Sequence, residues 1–182
     1  MIGNDIKTAA DLLKKGEIVA IPTETVYGLA GNALDAASVS KIYEIKNRPS
    51  FNPLILHVKN VREISKYAKN IPERLATLMK KFMPGPLTLL LDKTELVPDI
   101  VTAKSHRVAI RIPNHAITLE LLHQLDFPLA APSANPFGYV SPTTALHVEK
   151  QLGDKIPYIL DGGSCDIGIE STIVGMEEEK II

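Results

Sequence analysis

Proline sets the grain of this chain. Thirteen prolines are spread through 182 residues. Each fixes its own φ and pushes the residue before it away from helical geometry, so the apolar pattern comes in short pieces. Ile18–Ile21, Leu54–Val58, Leu87–Leu91, Arg107–Ile112, Tyr158–Asp161 and Ser171–Val174 read as short strands. Helical stripes alternate with them: Ile6, Ala9, Ala10 and Leu13; Val39, Ile42 and Tyr43; Leu75, Leu78, Met79 and Phe82; Ile117, Leu121 and Leu125. Strands and helices alternating at irregular intervals predict an α/β domain with a twisted, mixed sheet flanked by helices, rather than a regular doubly wound fold. Nothing reads as a linker, so residues 1–182 are taken as one domain.

Helix signals lie where the stripes begin. Asn4 and Asp5, Asp35, Asn60, Asn114 and Ser141 are candidate N-caps, and Pro72 and Pro142 suit a first turn. Gly16 stops the first helix and Pro84-Gly85-Pro86 breaks a later one. Asp92–His106 reads as a loop whose VPDIVT piece is a candidate edge strand.

Some functions are disfavoured by composition. A net charge of −1 gives no broad electrostatic footprint for nucleic acid or an anionic membrane, although a local basic pocket remains open. A single cysteine, Cys165, has no internal disulfide partner, which fits a reducing cytoplasm. No apolar run approaches the roughly 20 residues that span a bilayer, and MIGNDIKTAADLL lacks a signal-peptide core.

The chemistry is densest between Pro22 and Val58. Lys46 falls seven residues after Val39 and so continues an apolar stripe. It is either a helix-end lysine favoured by the dipole or a cation awaiting an anion. Arg48 precedes Pro49, and Pro49 and Pro53 stiffen the loop between them. His57 shares a strand face with Ile55, opposite Leu54, Leu56 and Val58. Farther on, Arg107 and Arg111 share one strand face, either solvated or forming a shallow cationic surface. Ser133 and Asn135 sit two apart between prolines. Ser141-Pro142 offers a helix start that either caps itself or accepts phosphate. Phosphate-loop, GxGxxG, zinc-spacing and GxSxG patterns are absent. Cations with neutral hydroxyls and amides, but no clear covalent nucleophile, suit oxyanion binding and phosphoryl or nucleotidyl transfer.

Six segments, in order, carry a closer likeness: PTETVYGLAGNA, IYEIKNRPSFNPLILHV, PGPLTLLL, VAIRIPNH, PLAAPSANPFGYVSPTTA and DGGSCDIGIESTIV. Together they resemble the YrdC-like threonylcarbamoyl-adenylate synthases over about Ile18 to Val174. The resemblance implies a concave basic cavity in the α/β sheet. It also implies a reaction in which L-threonine, bicarbonate and ATP give threonylcarbamoyl-AMP and pyrophosphate, before partner proteins pass the threonylcarbamoyl group to tRNA beside the anticodon. The family's Lys-x-Arg and Ser-x-Asn pairs match Lys46, Arg48, Ser133 and Asn135. These, with Asn52, Ser141 and more weakly Arg107, would hold ATP. Thr25, His57, Arg111, the backbone at Ala131 and Ser171 would hold threonine. Magnesium would arrive on ATP rather than on protein side chains, and no prosthetic group is expected.

The chain departs from the pattern at Asn47, where Gly is usual, and at Phe137, where a small hydroxyl is common. It also ends at Ile182, where the family usually continues into an Arg-containing segment. Two other readings are a non-catalytic module for structured RNA such as tRNA, and a carbamoyl-transfer domain of a hydrogenase-maturation enzyme.

Overall fold

The computed structural model describes residues 1–178 and 180–182. Strand β1 (Ile2–Gly3) leads to helix α1 (Ile6–Lys14), whose first turn is capped by the Asp5 carboxylate accepting from the backbone N–H of Lys7 and Thr8. Strands β2 (Val19–Ile21) and β3 (Gly28–Asn32) form an antiparallel pair. Helix α2 (Ala36–Lys46) is capped by Asp35 and packs so tightly on β3 that a Cβ on Gly31 would lie 3.2 Å from Ile42. Strand β4 (Ile55–His57) precedes α3 (Val61–Tyr67), capped by Asn60, and β5 (Ala68–Lys69). Helix α4 (Glu73–Phe82) buries Leu75 and Met79, whereas Phe82 is exposed, contrary to its place on the predicted buried stripe.

After β6 (Leu87–Lys93) the VPDIVT piece forms a short helix, α5 (Asp99–Thr102), rather than an edge strand. Pro98 starts it with φ −60°, and left-handed Ala103 ends it. Strand β7 (Arg107–Arg111) is followed by α6 (Ala116–His123), whose N-cap position is His115 rather than Asn114. Strand β8 (Leu129–Ala130) leads through a long loop to α7 (Ala145–Leu152). The Thr144 hydroxyl caps α7, so the helix begins three residues beyond the predicted Ser141 cap. The chain finishes with β9 (Tyr158–Leu160), β10 (Thr172–Val174), and a hairpin of β11 (Met176–Glu177) with β12 (Lys180–Ile181).

The main sheet runs β1-β9-β2-β3-β8-β4-β7-β6-β10, with β5 also on β6. Parallel pairs (β1/β9, β9/β2, β4/β7, β6/β10) mix with antiparallel ones, as the irregular alternation predicted. Each strand sends alternate residues to opposite faces. Leu29, Leu56, Leu89, Val108 and Ile110 join a large core with residues of α2, α3, α4 and α7. On the other face Val19, Ile21, Ala30, Leu129 and Leu160 pack against Ala9, Ala10 and Leu13 of α1 and Leu121 and Leu122 of α6. These two helices serve the half of that face made by β9, β2, β3 and β8. Across β4, β7 and β6 the same face carries His57, Arg111 and Thr88 instead.

Candidate active site

A row of register partners crosses this second half of the face: Leu129 on β8, His57 on β4, Arg111 on β7 and Thr88 on β6. Arg111 is 4% exposed, so the solvated-face alternative for this arginine does not hold. Its Nη2 donates to the Thr25 hydroxyl at 2.9 Å and lies 2.8 Å from the Glu24 carboxylate. The Thr25 hydroxyl is also 2.9 Å from that of Thr23, which donates to the Val26 carbonyl at 2.6 Å and so fixes the turn after β2. His57 is buried beside Arg111; burial first, then that guanidinium, pulls its pKa down to about 3. It is therefore a neutral ring at ordinary pH. Thr88 pairs with the Ser171 hydroxyl at 2.6 Å, bringing Ser171 to the same end of the row. The Ala131 N–H donates to the Ile55 carbonyl at 3.1 Å, which ties the chain after β8 to β4.

Thr25, His57, Arg111 and Ser171 thus share one neighbourhood. The segment that covers it is 165–168, where Ile167 and Gly168 donate to the Glu24 and Thr25 carbonyls at 3.0 and 2.9 Å.

The second group lies where α2 ends. Lys46 completes the buried stripe with Val39, Ile42 and Tyr43 and is 1% exposed. Its ammonium donates to the backbone carbonyls of Ser133 and Asn135. Burial, then the nearby Arg48 charge, lowers its pKa to about 7, with Glu170 acting the other way. Asn47 takes the left-handed conformation, φ 56° and ψ 36°, while Asn47 and Arg48 donate back to Glu44 and Tyr43. That is a Schellman ending, in which Asn is the usual substitute for Gly. The departure from Gly therefore keeps the turn. Arg48 donates to the Asn52 and Pro53 carbonyls at 3.3 and 3.0 Å, and its guanidinium lies 5.7 Å from the centre of the Phe137 ring. Phe137 thus replaces a small residue with a cation–π platform. The Asn52 carbonyl also accepts from Tyr43 Oη at 3.0 Å.

Asn135 is buried, donating to the Pro136 and Tyr139 carbonyls at 3.0 and 2.7 Å, while its Oδ1 has no partner. Ser141 donates to the Glu170 carboxylate instead of capping a helix. Arg107 is not gathered in. It lies four residues along β7 from Arg111, about 13 Å at strand rise, and pairs with Glu177 of the terminal hairpin at 3.6 Å.

The Ser133 loop joins the two groups. Ala134 N–H donates to Tyr27 and Leu29 N–H to Pro132, both at 2.7 Å, so the Thr23–Tyr27 turn leans on the loop that Lys46 holds. Sequence reasoning missed Glu24, Thr88 and Glu170 as parts of this assembly. Glu24 gave no signal in the sequence; only the folded chain shows it as a carboxylate within an unbroken buried run from Ile18 to Gly31, where a cationic partner is required.

Fold and donor set together define an α/β domain equipped for polar, anionic ligands on one half of a sheet face. The family model Sua5_yciO_yrdC, described as "Telomere recombination", matches residues 11–182. The chain is 48% identical over 173 residues to the threonylcarbamoyl-AMP synthase of Pyrococcus abyssi, covering 95% of this chain and 51% of that one. It is 47% identical over 175 residues to the enzyme of that name from Bacillus subtilis, with 96% and 51% covered. The crystal structure of P. abyssi Sua5 complexed with L-threonine superposes at a TM-score of 0.96 and 45% identity, over 100% of this chain and 56% of that one. Escherichia coli YciO shares the fold at a TM-score of 0.86 and 22% identity, over 100% of this chain and 91% of that one. The chain belongs to the Sua5/YciO/YrdC family, and it spans about half the length of the first curated relatives it matches.

Proposed function

We propose that this chain carries the synthase site that joins L-threonine, bicarbonate and ATP into threonylcarbamoyl-AMP and pyrophosphate. The observation that carries the reading is the tie from the Lys46 ammonium to the Ser133 and Asn135 carbonyls, which brings the two signature pairs to one place. The names of the relatives supply the substrates. Threonine would lie across the Arg111 row, its carboxylate on the guanidinium and its hydroxyl among Thr25, His57 and Ser171. ATP would lie toward Lys46, Arg48, Asn52, Ser133, Asn135 and Ser141, which would line the concave basic cavity that the reaction needs. Arg107 would reach only the far edge of such a site.

In the chemical steps, threonine's nitrogen bonds to the carbon of bicarbonate and water leaves, giving a carbamate. A carbamate oxygen then bonds to the α-phosphorus as the bond to pyrophosphate breaks. Lys46 has a third N–H beyond the two its carbonyls use, and Arg48 three beyond the two bound to its loop. Those donors would meet charge building on the phosphates. Magnesium would come with the nucleotide. The product would pass to proteins that load tRNA, in the cytoplasm.

The test is pyrophosphate release by the 182-residue chain with ATP, leaving out threonine or bicarbonate in turn. Release that needs both, and that falls at least 100-fold in Arg48→Ala (about 2.7 kcal/mol), is expected. Tight, salt-sensitive tRNA binding without ATP turnover would instead favour an RNA-binding module.

A further inference from the structure

The Glu24 carboxylate is the group whose bonding is least complete. It is 5% exposed, and neither oxygen accepts a hydrogen bond among the described residues. Its Oε1 lies 2.8 Å from Arg111 Nη2, close enough for an ion pair, while the N–H that Nη2 directs at a hydrogen-bond acceptor goes to the Thr25 hydroxyl. Arg111 Nε is buried and unpartnered as well. Buried polar atoms in folded proteins are almost always satisfied. Here an acceptor and a donor are left open side by side, on a carboxylate and a guanidinium. A ligand that brings both a positive and a negative end would complete both. The other titratable groups near Glu24 are His115, Cys165 and Asp166.

We propose that Glu24 accepts the ammonium of the amino-acid substrate, so that Glu24 and Arg111 read the two ends of a zwitterion. Glu24 then takes the proton which that ammonium must lose before its nitrogen can bond to carbon. The step is balanced: carboxylate and ammonium become carboxylic acid and amine, and the acid returns its proton to water after the carbamate forms. The opposite charges of the pair offset each other. This explains how a cation and an anion are tolerated together under the 165–168 cover. The assignment rests on the functional reading above for the identity of the amino acid, whereas the paired charges of Glu24 and Arg111 suit any free α-amino acid.

The experiment compares L-threonine with 3-hydroxybutyrate, which keeps the carboxylate and hydroxyl and lacks the amine. Affinities are measured by NMR titration on the 182-residue chain and on Glu24→Gln, with thermal unfolding to confirm the fold. The wild type should prefer threonine, and that preference should shrink at least tenfold in Glu24→Gln. An undiminished preference in the folded variant overturns the proposal. If Glu24→Gln leaves too much charge buried to fold, the double variant Glu24→Gln/Arg111→Gln removes both charges. There too the preference for the amine should be lost, and its retention has the same meaning. Failure of the wild type to bind threonine would sink the functional reading itself and the ammonium contact with it; threonine binding with an unchanged preference would sink the contact alone.

Discussion

Lys46→Met separates two consequences of burying a lysine. In the folded chain burial and Arg48 depress the Lys46 pKa from 10.5 to about 7. Between those values the unfolded chain holds a proton that the folded chain has released. Where the unfolded state binds more protons, stability rises with pH. The full span is worth about 5 kcal/mol, at about 1.36 kcal/mol for each tenfold change in proton affinity. The neutral amine still has two N–H groups for the Ser133 and Asn135 carbonyls, so raising the pH sheds the cost of the charge and keeps the ties. Methionine has nearly the same shape without the proton or the donors, and leaves two carbonyls unserved at about 1–3 kcal/mol each. Urea unfolding of both proteins at about pH 7, 8.5 and 10 reads the difference. The variant should be the less stable at high pH, and the gap should widen by about 4 kcal/mol from neutral to pH 10. A gap that stays constant across the window would refute the claim that the folded lysine gives up its proton there.

Two other substitutions probe the local geometry. Asn47→Gly should raise stability by a few tenths of a kcal/mol and Asn47→Ala lower it by about 1 kcal/mol, because alanine pays the left-handed strain that glycine escapes; denaturant midpoints decide it. His57, held neutral in the folded state down to about pH 3, is protonated in the unfolded chain below its ordinary 6.5. Stability should therefore fall as pH drops through that interval, by up to about 5 kcal/mol. His57→Gln should flatten this acid limb in melting curves, and a limb of unchanged steepness would remove His57 as its source.

What the sequence made legible was mostly local. The carboxylate and amide caps Asp5, Asp35 and Asn60 act on the next turn of their own chain, and each is where the pattern placed it. Lys46 was legible because seven residues return a helix to the same face. Tertiary pairing hid other features. Ser141 and Pro142 resemble a helix start, but the Pro142 carbonyl accepts from Tyr27 at 2.8 Å and that of Thr143 from Cys165 at 2.9 Å, so the chain stays extended for three more residues. Arg111 alternates along β7 just as a solvated residue would. What buries it is the turn at residues 23–27 and the segment near 167, each far away in sequence. The role of Glu24 needed the same contact, since nothing in its neighbours names the arginine it faces.

The Lys46 anchor also says which changes the proposed nucleotide corner can absorb. Its ammonium grips main-chain oxygens, and every amino acid supplies those alike. Replacing the side chain at 133 would alter what a ligand touches without loosening the clasp between helix and loop, whereas the side chain at 135 also ties the loop to Pro136 and Tyr139. Affinity there can drift through mutation while the frame stays put, whereas losing the lysine would let frame and affinity go together.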